Sequence, residues 1–311
     1  MRRSIEFKTF LAVPLALAAL AAQLRAAETA APAAAGIELR DSDGNVLAKA
    51  KGSLNVEREY RPGDRIRLAG PACLVVQLDQ RLPEAMICAP KGLVEFPLPV
   101  EPGQRAVYPP GSFAGGRHLV TARAASGDEV SAYRNVALNP LDVRGETAFY
   151  PHATSNSECR DDPSFAARNA IDGRTENKGH GATHPSWGPD QRTDLWWKVE
   201  FGRSVRIDKV VLSIRADFPH DRHWRRATIE FSDGSRETIA IEKKAESQTF
   251  AFSQRTVDWL RITDLIQDEP LGWCGFTEVE VWGRDAASDT SRVLPPSVEH
   301  VSNVPARSSQ R

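Results

Sequence analysis

The stretch Asp194-Leu195-Trp196-Trp197-Lys198-Val199-Glu200-Phe201-Gly202 constrains the fold more than any other part of the chain. Leu195, Trp197, Val199 and Phe201 recur at every second residue, with Trp196, Lys198 and Glu200 between them. A pleated strand puts alternate side chains on opposite faces, so this segment reads as a strand with one face buried. Val205 to Ile214 continues as a second strand. Ala227 to Ser232 runs into Asp233-Gly234, a strong hairpin signal, and returns through Glu237–Glu242. Thr249–Phe252, Val257–Thr263 and Thr277–Gly283 complete an all-β set.

The first part of the chain has the same punctuation. Ile37–Arg40 and Val46-Leu47 flank the turn Asp41–Asn45, and Arg61-Pro62-Gly63-Asp64 precedes a strand at Arg65–Leu68. Further strands are expected at Cys73–Leu78, Ala85–Cys88, Leu93–Leu98, His118–Ala124 and Glu129–Val136. No window sustains helical periodicity. The expected architecture is two β-sandwich domains, over residues 36–140 and 145–284, and 311 residues suit two domains. All seven Trp lie between Trp187 and Trp282 and all four Tyr at or before Tyr150, as two units of different use would give.

The ends read differently. Arg2, Arg3 and Lys8 precede an apolar run from Phe10 to Ala22, and Leu24-Arg25-Ala26-Ala27 offers small residues for cleavage. Residues 1–26 are thus expected to be a signal peptide and the protein to be exported. The apolar run is shorter than the roughly 20 residues of a spanning helix, and no other segment is expected to span a membrane. Residues 27–35 read as a linker and 286–311 as an aperiodic, disordered tail. With 40 Lys+Arg against 41 Asp+Glu the net charge is −1, which argues against nucleic acid as a partner. Export makes the cysteines candidates for disulfides, simplest as Cys73–Cys88 and Cys159–Cys274, the alternative being four buried thiols.

Three landmarks in the second unit resemble those of galactose-binding-like, discoidin-type modules: Asn169-Ala170-Ile171-Asp172-Gly173, Leu195 to Gly202, and Glu278-Val279-Glu280-Val281-Trp282-Gly283. The resemblance covers about residues 145–284 and implies a jelly-roll β-sandwich. A finer likeness is to the F-type (fucose-binding) lectins, whose sugar site resembles a His followed by Arg-x-Asp-x4-Arg/Lys. His184, Arg215, Asp217 and Arg222 match it, although the His-to-Arg gap is 30 residues and the family's cysteine pair is missing. A guanidinium is a rigid fork of donors suited to neighbouring sugar oxygens. Asp217 could hold Arg215, and Trp224, Phe218 and Trp187 could stack on the apolar face of a pyranose. The plainer alternative is a surface salt-bridge cluster of Arg215, Asp217 and Arg222. A third reading takes His180, His184, His220 and His223 as zinc ligands.

The resemblance also implies a structural Ca²⁺, with carboxylates from Asp172 and Glu278 and backbone oxygens of Asn169, Arg174 and Thr277. No hydrolase, zincin or phosphate-loop motif is present. The expectation is a non-catalytic carbohydrate-binding protein, lectin or binding module, with a glycan or polysaccharide as partner. The alternative is an extracellular protein-interaction or envelope-structural protein.

Overall fold

The computed structural model describes residues 32–286, apart from residues 146, 177–178, 180–183, 217–219 and 270–271. The expected signal peptide, most of the linker, nearly all of the tail, and His180, Asp217 and Phe218 lie outside the described residues.

The chain forms β1 (Gly36–Arg40), β2 (Val46–Lys51), β3 (Ser53–Val56), β4 (Arg65–Ala69), β5 (Cys73–Gln77), β6 (Ala85–Cys88), β7 (Leu93–Pro97) and β8 (His118–Ala124). These make two antiparallel four-stranded sheets, ordered β2-β1-β4-β7 and β3-β8-β5-β6. Their inner faces share one core, with Leu39, Ile66, Leu68 and Phe96 from one sheet and Leu54, Leu74, Val76 and Val120 from the other. Cys73 pairs in register with Cys88 across β5 and β6, and the two form a disulfide.

The second unit contains β9 (Arg134–Asn135), β10 (His152–Ser155), β11 (Trp197–Ile214), β12 (Trp224–Phe231), β13 (Arg236–Ala240), β14 (Gln248–Gln267) and β15 (Phe276–Asp285). They form one antiparallel sheet ordered β13-β12-β14-β11-β15-β9, with β10 also on β11. Leu195, Trp197, Val199 and Phe201 are all buried, as their alternation requires, while Trp196, Lys198 and Glu200 are half-buried. The register of β11 on β14 shifts between Glu200 and Val205. Gly202 sits in that shift at φ 65°, and a Cβ there would meet the Tyr150 ring at 2.2 Å, so the bend needs glycine. The Asp233-Gly234 hairpin forms as expected.

Two expectations are corrected. The strand expected at Glu129–Val136 is a short helix, Gly127–Ser131, followed by the two-residue β9. Ser126 caps it: its side chain accepts from the Glu129 N–H while the Glu129 carboxylate accepts from the Ser126 N–H. That reciprocal pair is a Ser-x-x-Glu capping box, and it holds against the β-branched Val130. Thr249–Phe252 and Val257–Thr263 are stretches of the single long β14.

The units interleave at their junction. Val136 and Ala137 belong to the second core, whereas Leu141 and Phe149 return to the first. Arg168, buried in the second unit, donates to the carbonyls of Asp142 (2.5 Å) and Pro140 (2.8 Å), and its guanidinium lies 4.9 Å from the centre of the Tyr108 ring.

Candidate functional site

At one end of the second sandwich the loops close on a pocket of about 150 Å³. Backbone hydrogen bonds fix its walls. The Arg215 N–H donates to the Gly275 carbonyl (3.0 Å), Arg222 to Trp273 (2.8 Å), Cys159 to Gly188 (2.8 Å) and Gly188 to Phe165 (3.1 Å). Side chains larger than hydrogen do not fit at two wall positions. A Cβ at Gly188 would meet Phe165 at 2.7 Å, and one at Gly275 would meet the Trp187 carbonyl at 2.8 Å. The walls are therefore close-packed.

Arg215 projects from the end of β11 with its side chain only 6% exposed. Its Nη2 donates to Asp221 Oδ1 at 2.7 Å and its Nε to Oδ2 at 3.3 Å. Asp221 is fully buried, so both charges are out of water and each offsets the cost of burying the other. The Phe165 ring lies 5.8 Å from the guanidinium carbon, and Lys243 Nζ donates to the Asp221 carbonyl at 2.9 Å. The pocket is completed by half-buried Trp273, by His220 with half its side chain exposed, and by Arg160 at the exposed rim. A rigid fork beside flat apolar rings can bind a small polar ligand that also has an apolar face.

The residues expected from sequence are only partly brought together. Arg215 lines the pocket, but its carboxylate partner is Asp221, six residues on, and Asp217 lies outside the described residues. Arg222 does not line the pocket; it pairs with Glu269 at 3.0 Å on the surface next to it. His184 is half-buried beside Gly179, away from the lining. Trp224 is corrected outright: it is 1% exposed, with its ring 5.4 Å from Trp187 and 4.7 Å from Phe276, a core residue that no sugar can reach. Trp187 is equally buried, its indole N–H given to the Ser157 carbonyl. His223 sits 3.1 Å from Asp268, and among the described residues His184, His220 and His223 do not gather as a metal cluster.

The expected Cys159–Cys274 disulfide is also corrected. Both residues line the pocket, so the two loops meet as expected, but both are buried free thiols. Their loops converge on the cavity rather than on each other. Burial raises both thiols, Cys274 to about 12, so neither carries the thiolate that would attack a disulfide. Cys73–Cys88 is bonded as read.

A second cluster involves the Asn169–Gly173 turn. Asp172 is 7% and Glu278 1% exposed. Asp172 Oδ1 accepts from the Arg174 N–H (3.0 Å) and Glu278 Oε2 from the Gly173 N–H (3.1 Å). The other oxygens, Asp172 Oδ2 and Glu278 Oε1, are buried without a hydrogen-bond partner. Burial pushes both carboxyls up; Asp172 raises Glu278 further, while the Arg168 guanidinium opposes the rise at Asp172. Two orphaned carboxylate oxygens in a dry site fit a hard divalent cation. Asn169 and Thr277 are buried in the same place. The Asn169 side chain is already used by Pro163 and Arg168, and the Thr277 hydroxyl donates to the Ser213 carbonyl.

Residues 146–282 match the model of a family described as a domain of unknown function (DUF7402). No curated protein matches the chain. Among solved structures, a chitosan-binding module of a chitosanase/glucanase from Paenibacillus sp. IK-5 is 22% identical, covering 49% of this chain and 100% of its own, with a TM-score of 0.36. A fucose binding module from Streptococcus pneumoniae is 16% identical, covering 47% and 96%, with a TM-score of 0.36. A family 32 carbohydrate-binding module of C. perfringens NanJ, in complex with galactose, is 16% identical, covering 42% and 91%, with a TM-score of 0.33. These are likenesses over about half of the chain and assign no ligand to it.

Proposed function

We propose that this is an exported glycan-binding protein that holds one sugar ring in the loop-end pocket of its second sandwich. The observation that carries the reading is the Arg215 fork, locked by Asp221 next to Phe165 and half-buried Trp273. Its geometry is set before any ligand arrives, which reduces the ordering cost of binding. The role is binding rather than turnover: among the described residues no carboxylate lines the pocket, and Asp221, bound to Arg215 behind it, is fully buried. Export is supported by the N-terminal basic and apolar segments and by the Cys73–Cys88 disulfide, which suits an oxidising compartment. No helix among the described residues is long and apolar enough to cross a membrane.

Ca²⁺ belongs to the proposal as a structural ion. Asp172 and Glu278 would hold it through their orphaned oxygens, with backbone oxygens of Asn169, Arg174 and Thr277 beside them, tying the turn after Ala170 to β15. When bound it supplies charge compensation and no chemistry.

The test is a glycan array probed with the chain lacking its first 26 residues. Binding to a defined set of glycans, lost in Trp273→Ala with the melting temperature kept, supports the reading. No binding to any glycan, with capture of a protein partner instead, favours the protein-interaction alternative.

A further inference from the structure

We propose that the loop-end pocket is one end of a longer cleft, and that the protein binds an oligosaccharide chain whose following rings lie in a groove where the two units meet. The inference rests on the glycan-binding reading and extends it from one ring to a chain.

The groove has a volume of about 570 Å³, nearly four times that of the loop-end pocket and within the roughly 300–1,000 Å³ usual for ligand sites. Its floor is the outer face of β10 on β11. Trp197 and Val199 point into the core, so Lys198 and Glu200 point outward, and the register sets Thr154 opposite Lys198 and His152 opposite Glu200. Arg144, Thr147 and Tyr150 wall it from the segment that joins the units. Tyr150 is fixed from both sides. Its backbone exchanges hydrogen bonds with Cys88 of β6 at 2.7 and 2.8 Å, and its ring lies against Gly202 of β11. The first sandwich thus helps to shape the groove.

The groove offers hydroxyls rather than charge. Arg144 pairs with Glu158 and Lys198 with Glu200, each at 2.6 Å. Buried Arg168 is given to backbone carbonyls, and His152 is bound to Asp142. Thr147, Tyr150, Thr154 and Ser155 all line the space, and among the described residues the Tyr150 and Thr154 hydroxyls have no hydrogen-bond partner. A hydroxyl both donates and accepts, which is what the hydroxyls of a sugar require in return. The half-buried Tyr150 ring adds a flat apolar surface.

The groove and the pocket share a wall. Glu158 lines the groove, and the next two residues, Cys159 and Arg160, line the pocket. Consecutive Cα atoms are about 3.8 Å apart, so one turn of chain separates the two cavities. The crest of that turn, Arg160 and Asp161, is exposed, and both residues are in the left-handed region at φ 56° and 58°. Such strain persists only where the surroundings impose it. Arg144 imposes it here: its Nε donates to Glu158, its Nη1 donates to the Asp161 carbonyl at 3.0 Å, and its Nη2 pairs with the Asp161 carboxylate. A glycan leaving the pocket over this fixed crest enters the groove directly.

The experiment is titration calorimetry of the protein with oligomers of glucose, galactose, mannose and N-acetylglucosamine, each from the single sugar to the hexamer. In the series that binds, affinity should rise with length by about four- to hundred-fold and then level off, from two hydrogen bonds at about two- to ten-fold each. The double variant Tyr150→Phe with Thr154→Val removes both hydroxyls. It should lose most of that gain and keep the single-sugar affinity and the melting temperature. Tyr150→Phe alone keeps the ring against Gly202 and should lose part of the gain, so the test stands even if the double variant is unstable. Affinity independent of length overturns the groove and leaves the one-ring reading standing. A gain that survives both variants also overturns the groove, because the chain then runs elsewhere. Binding of no sugar at any length, here or on the array, overturns the glycan reading and the groove together.

Discussion

Replacing Arg215 by Met keeps the length of the side chain and removes its charge. Asp221, with no exposed surface, then loses both hydrogen bonds to the guanidinium, at 2.7 and 3.3 Å. His220 lies 3.7 Å from the carboxylate and is half exposed, and the Lys243 ammonium is bound to the Asp221 carbonyl. An uncompensated buried charge costs about 3–5 kcal/mol. At about 2–4 °C per kcal/mol for a chain of this size, that is a fall of about 6–20 °C in melting temperature. Removing both charges, in Arg215→Met with Asp221→Leu, should recover most of the loss, because a buried pair is often no better than apolar groups of similar volume. The assay is urea unfolding of the parent, both single variants and the double; because the double should fall far short of the sum of the singles, the cycle should give a coupling energy of at least about 3 kcal/mol. Arg215→Met within about 0.5 kcal/mol of the parent, the ordinary range of a surface change, would refute the argument that this pair is the buried frame of the pocket.

Calcium should raise the melting temperature of the parent and leave Asp172→Ala and Glu278→Ala unmoved; identical melting in excess EDTA and excess calcium contradicts the ion site. Cys159 and Cys274 should react with a thiol reagent only after unfolding, giving two thiols per chain, and fewer than two would contradict their free state. His152 is buried against Asp142 at 2.7 Å; burial lowers its proton affinity, but the bond to Asp142, aided by Glu200 and the Gly145 carbonyl, outweighs this and raises it above 6.5. A raised folded-state value means stability fully present below about pH 6.5 and lost as pH rises through that value, so parent and His152→Gln melting temperatures should converge at higher pH. Parallel curves would refute that linkage.

The strand-forming half of this fold is legible in the sequence because alternation acts locally. Leu195 to Phe201 declares its buried face, and Asp233-Gly234 its hairpin. The capping box at Ser126 and Glu129 is equally local, and it overrides the strand expected at Glu129–Val136. The site was harder to read because its contacts are set by tertiary packing. Arg215 was identifiable from its neighbourhood, but whether residue 217 or 221 holds it depends on how the loop turns back. Trp224 begins a strand, and only the sheet's register decides that it points inward. Trp273 carried a usable signal: it lies in Gly272-Trp273-Cys274-Gly275, where alternation stops and a large ring is left in a loop.

The central claim is that a glycan sits among Arg215, His220 and Trp273. The most direct measurement is a crystal structure of the protein soaked with its strongest array ligand. The account predicts one sugar ring in the loop-end pocket, its apolar face against Trp273 and its oxygens within hydrogen-bond distance of Arg215 or His220. A ligand bound elsewhere, with the loop-end pocket holding only solvent, would contradict it.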